Sequence, residues 1–178
     1  MKLRSLSKIL TGMEPPEVRE QLTENNTAAL KRRRAIIVLS LVGLGSAAAA
    51  SLLQTGVVKH LPDPPKGNFD ADKVVKSDEA YVFGIPDATI ALVGLAANVP
   101  IAAFGGANRV YEQPIVPILA AGKSVVEAAF AGWYFYQMPT KEKAWCGYCI
   151  LGAAAYFSIF ALALPEASQA LGKLLKRR

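Results

Sequence analysis

Four long apolar runs dominate this chain of 178 residues. A helix needs ~20 mostly apolar residues to cross a hydrocarbon core ~30 Å thick, and runs near that length extend from Ala35 to Val58, Ile85 to Phe104, Ile115 to Met138 and Trp145 to Leu164. Hydrophobic residues make up 52% of the sequence, gathered into these blocks rather than into the short periodic stretches of a soluble domain. In lipid, backbone polar groups must be satisfied within the segment itself, and helices achieve this. The expected fold is an all-α integral membrane protein: a four-transmembrane-helix bundle over residues 35–164, with cytoplasmic N- and C-terminal segments at 1–34 and 165–178.

Lys and Arg set the orientation, because cytoplasmic flanks carry their excess. Lys2, Arg4, Lys8, Arg19 and Lys31 to Arg34 precede the first run, Arg109 lies in the short middle loop, and Lys173, Lys176, Arg177 and Arg178 end the chain. The other two loops hold Lys59, Lys66, Lys73, Lys76, Lys141 and Lys143, and the first of them also carries Asp63, Asp70, Asp72, Asp78 and Glu79. Both termini are therefore expected in the cytoplasm of a bacterial-type inner membrane. The formal net charge of +6 follows from topology and contact with membrane lipid, not from nucleic acid. The block KRRR and the apolar run after it resemble a signal peptide, but a basic region reaching Arg34 is too long for one, so the first span is expected to stay as an anchor.

Leu3, Leu6, Ile9 and Leu10 share one helical face, the pattern of a short helix lying on an anionic surface or of a frayed terminus. The segment after Pro15 and Pro16 is polar and partly helical, a linker or a docking segment. The longest connection, 59–83, is broken by Pro62, Pro64 and Pro65 and rich in Asp; it is expected as an exposed extracytoplasmic loop with a short helix near its end. Its acids lack the glycine and terminal Glu of a calcium loop. The sole histidine, His60, has no second His or Cys beside it, so no metal site is expected.

The only two cysteines, Cys146 and Cys149, stand as Cys-x-x-Cys at the start of the fourth run. Three residues apart on a helix they share a face and can form a disulfide, and a helix N-terminus flanked by Lys141 and Lys143 favours the thiolate. Haem attachment requires a histidine where Ile150 stands, so no haem is expected. Either the pair is a reactive dithiol or it is two inert buried thiols. In the third run Lys123 and Glu127 are four apart, ~13 and ~18 Å along the helix. Charges at that depth face a bundle interior, water or another protein.

The four spans, the long first loop, the stretch FGIPDATIALVGLA (Phe83 to Ala96) and Cys-x-x-Cys at the outer end of the last helix together resemble the vitamin K epoxide reductase family. That resemblance implies a membrane thiol–disulfide oxidoreductase with a quinone as cofactor, Cys146 and Cys149 as the catalytic pair, Cys149 nearest the quinone and Cys146 exchanging with an extracytoplasmic thiol partner. Tyr156, Lys123 and Glu127 are the candidate quinone contacts. Two departures stand out: the loop has no cysteine to relay electrons, and Ala153 occupies a position where many members place a tyrosine. The alternative is a non-catalytic accessory subunit on the same scaffold, contacting neighbouring membrane subunits.

Overall fold

The computed structural model describes Lys8 and residues 11–176. The amphipathic reading of Leu3, Leu6, Ile9 and Leu10 falls on positions outside the described residues. The order of elements is α1 (Pro15–Thr23), α2 (Ala28–Gln54), α3 (Ala71–Val75), a 3₁₀ turn (Asp78–Ala80), β1 (Tyr81–Val82), β2 (Ile85–Pro86), α4 (Asp87–Ala103), α5 (Arg109–Glu112), α6 (Ile115–Gln137), a π turn (Met138–Glu142) and α7 (Gly147–Lys176). The long apolar helices α2, α4, α6 and α7 form the bundle, with α2 packed on α4 and α7, and α6 on α7. Three of them, α2, α7 and α6 with its π turn, are long and apolar enough to cross a membrane, whereas α4 is shorter. Its 17 residues rise about 25 Å.

Small residues set the spacing between helices. Gly43 of α2 faces α4 and α7 so closely that a Cβ there would lie 2.9 Å from Leu95 Cδ2 and 3.2 Å from Ala155 Cβ. Lipid tails are as apolar as leucine, so packing of this kind holds membrane helices together. The outward faces carry large apolar side chains such as Val38, Val93, Leu119 and Phe157. Exposed aromatics mark both ends, Tyr111 at one and Trp133 and Tyr136 at the other, as an aromatic belt requires.

Two helix boundaries differ most from the runs of hydropathy. Helix α2 begins at Ala28 and not at Ala35, because Thr27 caps it by accepting from the Leu30 amide at 3.3 Å. Helix α7 does not stop at Leu164. It runs through Pro165 to Lys176, so residues 165–176 continue the bundle instead of forming a separate tail. Proline forfeits one helical hydrogen bond, but Ala170 is fully buried beyond it and Glu166 is clamped by Arg109 through bonds of 2.7 and 2.8 Å.

That pair belongs to a buried polar base. Arg33 is 1% exposed and donates to the carbonyls of Ala102, Phe104, Gly105 and Gly106 at 2.6–3.0 Å. Arg109 donates to Ile101 O at 2.7 Å and Phe104 O at 3.1 Å. Together they take up the carbonyls of Ile101 and Ala102 in the last turn of α4 and those of Phe104 to Gly106 just beyond it. Two arginines read from the sequence as orientation signals are thus interior side chains. Helix α1 docks on the same end: Gln21 Oε1 accepts from the Ala107 amide at 2.9 Å, and Arg34 donates to Leu22 O and Asn25 O, both at 2.7 Å. The segment read as linker or docking element docks on its own chain.

Candidate functional site

The opposite end of the bundle carries the cysteines, joined as a disulfide with Cα atoms 5.2 Å apart. Trp145 N donates to Asn68 O at 2.8 Å and Asp70 N to Trp145 O at 2.9 Å, a bridge that lays the loop across the entrance to α7. Asn68 Nδ2 donates to Lys143 O, Tyr148 Oη to Pro62 O at 3.2 Å, and Lys141 pairs with Glu79. Gln54, at the end of α2, donates to Val75 O at 3.1 Å, Ala80 O at 3.3 Å and Asp87 Oδ1 at 2.7 Å, tying the loop to α4. Beneath this strap Cys146 is 0% exposed, packed with Ala50, Leu53, Leu61, Val75 and Met138.

Three acids of the strap are bonded to backbone amides. Asp70 Oδ1 accepts from Lys73 N, Asp63 Oδ2 from Ala71 N and Asp72 Oδ1 from Leu61 N, each at 2.9 Å. His60 Nδ1 lies 3.0 Å from Asp72 Oδ2. What burial Asp72 has raises its pKa, but the Leu61 amide, His60 and Lys76 outweigh this and hold the carboxyl below its ordinary value. Among the described residues no three His, Cys, Asp or Glu side chains converge as metal ligands.

Cys149 opens the other way. It lines an apolar cavity of about 470 Å³ between α2, α4, α6 and α7. Ala47, Ala50, Leu95, Ala131 and Ala153 are among its walls, and Val82, Phe83 and Ile90 are at its rim. Phe83, at φ 53° beside Gly84 at φ 77°, tips the β1–β2 hairpin and is 99% exposed. Ala153 leaves this wall apolar.

Six cavity-lining residues of α4, α6 and α7 fall in two layers. Helices α4 and α7 run inward from the cysteine end and α6 runs towards it. Asp87 and Gly94, Tyr134 and Glu127, and Cys149 and Tyr156 are each seven residues apart, two turns or about 10 Å. All six line the cavity. Asp87, Tyr134 and Cys149 form the outer layer; Gly94, Glu127 and Tyr156 form the inner one. A Cβ on Gly94 would lie 2.6 Å from Glu127 Oε1 and 3.3 Å from Tyr156 Oη, which shows how closely the inner residues converge. Tyr156 Oη donates to Ala91 O at 3.1 Å.

Lys123 sits behind this layer. Its ammonium donates to Gly94 O and Asn98 Oδ1, both at 2.8 Å, and pairs with Glu127 Oε1, while Asn98 Nδ2 donates to Glu127 Oε2 at 3.2 Å. Glu127 and Tyr156 therefore reach the cavity, and Lys123 supports Glu127 without lining it. The sequence reading missed Gly94, Asn98 and Tyr134. The seven-residue spacings could have found Gly94 and Tyr134; Asn98 is recognisable only once α4 is laid against α6.

The sequence model of the vitamin K epoxide reductase family matches residues 34–164, which holds all four bundle helices except the first turns of α2 and the end of α7. The chain belongs to the vitamin K epoxide reductase family. Membership carries a membrane thiol–disulfide oxidoreductase kind of function and quinone-related redox chemistry. With three apolar helices of spanning length, it makes the chain an integral membrane protein. Among curated protein sequences none matches it significantly.

Proposed function

We propose that the chain is a membrane thiol–disulfide oxidoreductase in which the Cys146–Cys149 pair exchanges electrons with a quinone held beside Cys149. The observation that carries this reading is the division of the two sulfurs: Cys149 lines an apolar cavity between the helices, while Cys146 lies under the loop strap. The residues suit a quinone. A cavity of about 470 Å³ lies within the usual range for small-molecule sites, its walls are alanine, leucine and aromatic side chains, and polar groups stand at two depths. A bound quinone supplies a two-electron, two-proton acceptor. The chain's own residues do the rest: Cys149 presents sulfur to the cavity, the apolar walls exclude water, and Glu127 and Tyr156 face the cavity's inner end.

Cys149 Nα donates to Cys146 Sγ at 3.1 Å, a contact at the first turn of α7 that favours a thiolate on Cys146 once the disulfide is reduced. Cys146 is then the sulfur that exchanges with an extracytoplasmic thiol partner. Because the strap carries no cysteine, that partner must reach Cys146 directly, and the strap must lift for it to do so. Both termini lie in the cytoplasm of a bacterial-type inner membrane in this reading, which puts Arg33, Arg109 and the end of α7 on the basic side.

The burial of Cys146 under a cysteine-free loop favours a second reading, a non-catalytic subunit of a membrane complex on the same scaffold. Purified full-length protein in lipid nanodiscs separates the two. On the first reading, a quinone converts the reduced Cys146/Cys149 pair to the disulfide, as read by alkylation and mass, and Cys146→Ser or Cys149→Ser abolishes the turnover. A pair unaffected by either quinone or hydroquinone, in protein that co-purifies stoichiometrically with other membrane subunits, establishes the second.

A further inference from the structure

We infer that the inner layer of the cavity, Glu127 and Tyr156 around Gly94, binds the hydroxyl of a hydroquinone in preference to the carbonyl of a quinone. The inference rests on the quinone reading above and says which redox form the site favours. What decides it is the supply of protons and lone pairs. An ammonium has three protons, and those of Lys123 go to Gly94 O, Asn98 Oδ1 and Glu127 Oε1. Tyr156 has one phenolic proton, given to Ala91 O at 3.1 Å. Of the three inner-layer residues on the cavity wall, Tyr156 alone has a side-chain donor, and that donor is engaged.

The acceptors are not exhausted. A carboxylate offers about four lone-pair sites, and the Lys123 and Asn98 contacts occupy one on each oxygen of Glu127. The Tyr156 oxygen, having donated its proton, still accepts. Gly94 leaves the gap in which a ligand group reaches both, since a Cβ there would sit 2.6 Å from Glu127 Oε1 and 3.3 Å from Tyr156 Oη. A carbonyl oxygen arriving in that gap meets lone pairs and a negative charge. A hydroxyl meets two acceptors, one of them ionised, and hydrogen bonds to charged groups are the stronger kind. The distance also suits: the outer and inner layers lie about 10 Å apart, a span that one six-membered ring bridges with sulfur against one edge and a hydrogen bond at the other.

Closing the Cys146–Cys149 bond releases two electrons and two protons, and these convert a quinone to the hydroquinone; opening the bond consumes them. A site that holds the hydroquinone more tightly shifts this equilibrium towards the disulfide by the ratio of the two affinities. The shift acts on ligand held in the site; the free quinone, hydroquinone and thiol partner set the direction of net turnover.

Calorimetric titration tests the ratio apart from turnover. The full chain carrying Cys146→Ser and Cys149→Ser, in lipid nanodiscs under argon, is titrated with tetramethyl-1,4-benzoquinone and with tetramethylhydroquinone. The hydroquinone should bind at least about tenfold more tightly. Glu127→Gln, whose amide brings protons to the gap, should bring the ratio near unity or reverse it. Lys123→Gln combined with Glu127→Gln, which leaves no unpaired charge, should do the same and stands in if the single variant does not fold. Equal affinities in the parent, or a preference that survives both variants, overturns the inference and leaves the quinone reading standing. Absence of saturable binding of either compound to the parent overturns both.

Discussion

At the scale of single residues, Gly94 shows how little room the site has. Replacing a helical glycine by alanine ordinarily stabilises by up to about 1 kcal/mol. At Gly94 the new methyl would stand 2.6 Å from a carboxylate oxygen that Lys123 and Asn98 hold in place, so Glu127 cannot simply swing aside. Overpacking of this kind costs about 1–3 kcal/mol, and the loss outweighs the helical gain. Gly94→Ala should therefore lower the melting temperature in detergent and weaken hydroquinone binding. Gly122→Ala on α6, where a Cβ meets nothing within 4 Å, should leave binding unchanged and the melting temperature unchanged or higher. Equal effects of the two would mean that Gly94 is not in contact with the Glu127 carboxylate.

At the scale of elements, the strap decides access to Cys146. Its hold is a set of individually modest bonds: the Asn68–Trp145–Asp70 backbone bridge, the Asn68 side-chain amide to Lys143 O, Tyr148 to Pro62, and the Gln54 amide to Val75 and Ala80. A neutral hydrogen bond contributes about 0.5–1.5 kcal/mol net, so removing two should raise the open population by roughly 5- to 150-fold. The membrane-impermeant reductant tris(2-carboxyethyl)phosphine should reduce the disulfide faster in Asn68→Ala/Tyr148→Phe than in the parent. Acid should act the same way through Asp72. Its carboxyl is held below the ordinary 3.8, so its contribution to strap stability is complete above that value and is lost as pH falls through the depressed folded-state pKa. Reduction, normalised to a free dithiol peptide disulfide, should accelerate only in that acidic window. Parent and variant rates that coincide at every pH would show that the strap does not control entry.

At the scale of the whole molecule, the bundle is fastened at one end by charge and at the other by the strap. Arg109 and Glu166 are both nearly inaccessible and joined through two bonds, and Arg109 also caps α4. Removing one partner of a buried pair typically costs about 3–5 kcal/mol, because the other charge is left without compensation. Glu166→Gln should therefore lower the melting temperature sharply. Lys141→Ala, which breaks a largely exposed pair with Glu79, should cost no more than about 1 kcal/mol. A small effect at Glu166 would mean that water reaches the base of the bundle. Charge fastening at this end also explains why α7 outruns its hydropathy: Glu166 is held by Arg109, remote in sequence, and not by the apolarity of its neighbours.

The amino-acid sequence by itself determined the class of structure. Four apolar runs, small residues within them and basic residues at their flanks leave few alternatives to a membrane helix bundle, because in lipid backbone satisfaction and hydropathy act locally and can be read from each segment alone. The position of Cys146 and Cys149 at the head of the last helix, and the pairing of Lys123 with Glu127, were legible for the same reason: both depend on neighbours three or four residues away. Only the tertiary structure decided which cysteine is sealed and which opens on a cavity, that Arg33 and Arg109 are interior, that the helix continues beyond Pro165, and that Gly94, Glu127 and Tyr156 meet. Each of those depends on contacts between helices distant along the chain. Hydropathy reports whether a helix enters the membrane, not which of its faces meets which partner.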